Sequence, residues 1–115
     1  MDKLISTIGL ALLLGSVALP GTAEERPRSG EESWYLFCEG CHRPDAEGPG
    51  AVMLQRRYGD ERMAIKGSTT LAPEYITHVV RNGLLEMAPL RPTDITDAEL
   101  DLLIDFLATP ANPVD

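Results

Sequence analysis

The stretch Cys38-Glu39-Gly40-Cys41-His42 constrains this chain more than any other. Two cysteines at i and i+3, with a histidine directly after the second, form the C-x-x-C-H signature of covalent c-type haem attachment. On a helical turn this spacing brings both sulfurs to one face, each within reach of one haem vinyl group. It also drops His42 beneath the porphyrin plane as an iron ligand. The expected cofactor is therefore one haem c, covalent through Cys38 and Cys41.

Other chemistry for the motif is poorly supported. A zinc site usually needs a second pair of ligands, and His78 is the only other histidine in a chain with no third cysteine. A thioredoxin-like pair needs strands alternating with helices, and strand-type β-branched alternation is almost missing here. A structural disulfide between Cys38 and Cys41 would close a very short loop and restrain the unfolded chain little.

The first residues read as an export signal. Lys3 gives a weakly positive start, Leu4 to Leu19 is almost wholly apolar, and Gly21-Thr22-Ala23 places small residues before a cut at the Ala23/Glu24 bond. An uncleaved membrane anchor is the alternative, but the apolar run of sixteen residues falls short of the roughly twenty that a spanning helix needs. Residues 1–23 are thus expected to be a signal peptide and the mature protein to be periplasmic, with no membrane association once the signal is cut.

Removing residues 1–23 leaves 92, with one Trp, three Tyr and two Phe in the whole chain. So small a domain makes a marginal core, and a large apolar cofactor would supply much of its interior. The formal charge of −8 argues against nucleic-acid binding and favours partners that dock through a positive or neutral patch.

Residues 24–30 read as a flexible leader, 31–109 as the folded domain and 110–115 as a proline-containing tail. Ser29 lies three residues before Glu32, a capping box, and Trp34, Tyr35, Phe37, Cys38 and Cys41 follow at helical spacing. The first helix is expected to run into the haem motif, with most of its aromatics on a core face. Pro44 ends the motif, and Gly48-Pro49-Gly50 reads as a tight loop. An iron-bound histidine normally donates its free ring nitrogen to a backbone carbonyl, and Pro49 is the candidate acceptor.

From Ala51 to Lys66 the pattern is poorer, because Arg56, Arg57, Tyr58 and Arg62 interrupt Val52, Met53, Leu54 and Ile65. These polar residues either bond the haem propionates or form a solvated cluster with Asp60 and Glu61. Pro73 opens the next helix, Ile76, Val79 and Val80 form its buried stripe, and Gly83 ends it. His78 falls on the opposite side and is expected at the surface.

Met87 follows in an irregular segment, Leu84-Leu85-Glu86-Met87-Ala88-Pro89-Leu90, suited to holding a thioether off the helical path. It is the expected sixth ligand. Met53 lies just past the histidine-side loop and would face the wrong side of the porphyrin, while Met63, among charges, is the rival. The last helix is capped by Thr96 and Glu99 and carries Leu100, Leu103, Ile104 and Leu107 as a stripe widened by Leu102 and Phe106. Asp97, Asp101 and Asp105 line its other face, and its apolar side is expected to pack on the first helix.

With these residues in place, the chain resembles the class I, single-haem cytochrome c family across nearly all of its mature part. The likeness rests on Cys38-x-x-Cys41-His42, Gly48-Pro49, the helix stop at Asn82-Gly83, Met87 and the final acidic amphipathic helix. It implies an all-α fold, about four helices wrapped around one haem, His42/Met87 ligation and non-enzymatic electron transfer. The family often puts proline directly after the ligand methionine, whereas Ala88 intervenes here. The compact size, the short stretch from His42 to Met87 and the Met-Ala-Pro-Leu segment also resemble the cytochrome subunits of periplasmic flavocytochrome dehydrogenases of the p-cresol methylhydroxylase type. That likeness implies a flavin or quinone dehydrogenase as one redox partner and a downstream cytochrome or oxidase as the other. An open-iron haem protein, a small peroxidase or gas sensor, is the alternative function.

Overall fold

Ser29 and Thr96 start the two helices that close the fold. The computed structural model describes residues 25–43 and 48–110, so the signal expected at 1–23, Pro44 and all of the tail but Pro110 lie outside the described residues. The Ser29 side chain accepts from the Glu32 amide and opens α1, Gly30–Phe37; the Thr96 side chain accepts from the Glu99 amide and opens α5, Asp97–Ala108. Both capping boxes are complete, since each glutamate also reaches back to its cap backbone. Such a cap is worth about 1 kcal/mol and fixes where the helix begins.

Between them lie α2 (Glu39–His42), α3 (Pro49–Tyr58), a 3-10 turn (Asp60–Arg62) and α4 (Pro73–Asn82). The fold is all-α, and an isolated antiparallel bridge pairs Leu84 with Met87. No helix among the described residues is long and apolar enough to cross a membrane.

Helices α1 and α5 pack together as expected, burying Trp34 against Leu100, Leu103, Ile104 and Leu107, with Val80 of α4 and Ile95 in the same cluster. Leu103 is 1% exposed and Trp34 4%, so this pair forms the dry centre of the molecule. The Trp34 and Phe106 rings meet at 6.4 Å in a tilted arrangement. Two residues leave the expected core faces: Tyr35 is 57% exposed, and Leu102 turns its side chain outward beside the solvated Asp101. Each sits just outside the stripe that a 3.6-residue period buries.

The first helix runs into the motif as expected, and there Cys38, at φ −117° and ψ −44°, caps α1 and starts α2. The described residues contain five α-helices. Two expectations are corrected. The leader is held in place: Arg26 pairs with Glu32 at 2.7 Å, and Arg28 pairs with the buried Glu99 at 2.9 Å. Arg28 also donates to the Asp94 carbonyl and lies over the Phe37 ring. The Glu99 carboxyl is held down to about 2, first by the Arg28 and Thr96 backbone amides and then by the same residues' side chains. The second correction concerns Gly48-Pro49-Gly50, expected as a tight loop, which is the start of a helix. Pro49 is the first residue of α3, where its fixed φ and missing N–H cost nothing.

Helix α3 escaped the pattern because it is peripheral. It packs on α2 and the 3-10 turn and touches none of α1, α4 and α5, so only Ala51 is fully buried. Arg56 and Arg57, which look like interruptions, are good helix formers on a solvated face.

Candidate functional site

The motif forms the junction of α1 with α2, and α3 packs on α2 from the other side. Backbone bonds from the Cys41 and His42 amides to the Cys38 carbonyl, at 3.1 and 2.9 Å, form the single turn that sets the two cysteines. Cys38 is buried in the apolar cluster, Cys41 is exposed, and both are free thiols. Burial, with a smaller contribution from neighbouring Cys41, pushes the Cys38 thiol up to about 11. Cys38 is thus a neutral thiol beside apolar surface, and its partner three residues on is open to solvent.

His42 is half-buried, and burial lowers its pKa, which favours the neutral imidazole that can ligate a metal. The first turn of α3 lies directly against it. A Cβ on Gly50 would come within 3.1 Å of His42 Cε1, 3.3 Å of Nδ1 and 2.9 Å of the Cys41 carbonyl oxygen. A Cβ on Gly48 would overlap that same carbonyl. Both glycines are therefore required for the approach of α3 to α2. His42 Nδ1 is buried without a hydrogen-bond partner among the described residues, so the acceptor role expected of Pro49 is not realised. As the first residue of α3, Pro49 has its carbonyl drawn into the helical ladder.

Met87 is set by a tight turn. Gly83, at φ 77°, ends α4, and Leu84 and Met87 exchange both backbone bonds at 3.0 and 2.9 Å. Leu85, at the tip, is held at φ 54°, an unusual conformation for a branched side chain. Half-buried, Met87 packs against the cluster that contains Cys38, whereas Met53 and Met63 do not join that cluster. Arg57 of α3 reaches Glu86 at 3.8 Å, a long and exposed pair of little energetic weight. Arg56, Tyr58 and Arg62 are exposed. His78 is at the surface, where Asn82 donates to its carbonyl at 2.9 Å.

The structure thus brings Cys38 and Met87 to one apolar cluster and seats His42 against α3. These residues fit a haem. Among the described residues no three His, Cys, Asp or Glu side chains converge to hold a bare ion, while an imidazole and a thioether are a sufficient axial pair for a porphyrin-held iron. Apolar Val52, Met53 and Leu54 are half-buried on a helix that stands apart from the α1/α4/α5 core, surface that a flat apolar group would cover. A groove of about 490 Å³ between α4 and α5, walled by Glu74, Asp101 and Asp105, contains none of the expected site residues. Two features were missed in the sequence. The close-approach role of Gly48 and Gly50 was hinted at by a glycine on each side of Pro49, and the bonds of Arg81 to the Leu90 carbonyl and Asp97 left no local signal.

A family model described as cytochrome c oxidase, cbb3-type, subunit III matches residues 25–107. Two crystal structures of p-cresol methylhydroxylase contain a chain of the same fold. The one with substrate bound superposes with a TM-score of 0.54 at 24% identity, covering 73% of this chain and 95% of that one. The other, at the same score and identity, covers 72% and 94%. No curated protein sequence matches the chain.

Proposed function

Because the chain belongs to the family of c-type cytochromes described as cytochrome c oxidase, cbb3-type, subunit III, we propose that it is a periplasmic carrier of single electrons with His42 and Met87 as axial ligands. Haem c, when bound, supplies a one-electron iron couple. The chain does the rest. Cys38 and Cys41 would hold the haem, each by addition of its thiol S–H across a vinyl group, which forms a thioether and loses no atom. His42 Nδ1 faces α3, which leaves Nε2 as its ligating nitrogen. The Met87 thioether would be the second protein ligand to the iron and would shield it from small molecules. The carrying observation is that His42 is fixed by the first turn of α3 while Met87 packs on the cluster containing Cys38.

Export rests on residues 1–23, and the partners follow from surface charge and fold. The likeness to p-cresol methylhydroxylase supports a flavin or quinone dehydrogenase as electron donor, with a downstream cytochrome or oxidase as acceptor. Electron entry needs only a transient interface, which an acidic surface can steer.

Met87→Ala tests the ligand set. Wild-type protein, matured with haem in the periplasm, is expected to show the weak far-red sulfur-to-iron band when oxidised and to resist carbon monoxide when reduced. The variant is expected to lose the band and bind carbon monoxide readily. Carbon monoxide binding by the reduced wild type would instead favour a peroxidase or gas sensor.

A further inference from the structure

We propose that Arg81 is the positioning residue for Met87, an inference that rests on Met87 being the iron ligand. The segment from Gly83 to Leu90 leaves α4 and returns to it. At its start the Gly83 amide donates to the Val79 carbonyl at 2.7 Å; at its end the Leu90 amide donates to the Val80 carbonyl at 2.8 Å. The loop is thus closed on the last turn of α4, with Met87 three residues before the closing point.

Arg81 fixes that closing point from the other side. Its Nη1 donates to the Leu90 carbonyl at 3.2 Å and its Nη2 to Asp97 Oδ1 at 2.6 Å. The Arg81 side chain is 18% exposed and that of Asp97 86%, so the guanidinium is the enclosed partner, lodged between the returning loop and the first turn of α5. A planar guanidinium presents two nitrogens in a fixed fork, one to each acceptor, whereas an ammonium would have to bring a single nitrogen within reach of both. Between Leu90 and Met87 stands Pro89, whose fixed φ leaves little slack. It packs close on Gly83, where an added Cβ would lie 3.2 Å from Pro89 Cδ and 2.6 Å from the Met87 carbonyl. Fixing Leu90 therefore fixes Met87. The usual proline directly after the methionine is replaced here by Ala88-Pro89, and Arg81 supplies the restraint from the far end of that longer segment.

The test uses haem-loaded full-length protein and reads carbon monoxide affinity of the reduced form and the far-red band of the oxidised form. Loss of one charge-assisted hydrogen bond on the loop is expected to raise carbon monoxide affinity about tenfold in Arg81→Ala. The far-red band should weaken while the helical circular dichroism is retained. Arg81→Lys, which keeps the stem and the charge, is expected to fall between the two, and it carries the test alone if the alanine variant does not mature. Affinity within twofold of wild type in the variants that mature, with the band undiminished, would overturn the inference while leaving Met87 as ligand. A wild-type protein with no far-red band would overturn both.

Discussion

Replacing Cys38 and Cys41 together by alanine is expected to yield a chain that carries no haem through denaturation and does not hold its native fold at ambient temperature. The first part follows from chemistry, because no other cysteine is present to form a thioether. The second follows from packing. The dry core is made by α1, α4, α5, Cys38 and Ile95, while α2 and α3 bury one residue between them, Ala51. A ligand held at a thousandfold excess over its dissociation constant adds about 4 kcal/mol to a native state, and a tethered group cannot be diluted away. Small domains are stable by roughly 5–15 kcal/mol, so losing that share is severe. Haem staining on a denaturing gel and thermal melting by circular dichroism check the two parts. Either single variant should retain haem through its remaining thioether.

Gly48→Ala is expected to damage the site severely although it adds a single methyl group. The new Cβ would overlap the Cys41 carbonyl oxygen, which belongs to the backbone of the motif and has no rotamer by which to escape. Helices α2 and α3 must move apart, at a cost of about 1–3 kcal/mol or more. His42, whose ring lies 3.1 to 3.3 Å from the position of a Gly50 Cβ, would lose its seat. A lower melting temperature and an altered absorption spectrum are expected together. Gly40→Ala is the control, since a Cβ there meets nothing within 4 Å and both readouts should stay near wild type.

What the sequence discloses here is what neighbours in the chain decide. Ser29 with Glu32 and Thr96 with Glu99 are contacts within one turn, and Pro73 and Gly83 each act on the backbone at their own position, so four helix boundaries, the starts of α1 and α5 and both ends of α4, were legible in advance. The motif itself is equally local. Residues whose roles arise between elements were not legible. Gly48 and Gly50 read as a turn because only the approach of α2 shows why a side chain cannot stand there. Arg28 read as part of a loose leader because Glu99 lies 71 residues away. Arg81 left no signal in the sequence because its bond to the Leu90 carbonyl exists only once the chain has returned to α4. Pro49 was expected to act on His42 through its carbonyl, and it acts instead by starting the helix against which His42 packs.

The central claim, that this chain carries one electron on a covalently held haem, is tested most directly by a potentiometric titration followed in the visible spectrum. Purified wild-type protein, checked for haem retained after denaturation, would be taken through oxidation and reduction. One haem per chain, a single reversible one-electron transition and the same curve in both directions are the predicted result. A chain that holds no haem after denaturation, or one whose haem cannot be cycled between two stable states, would contradict it.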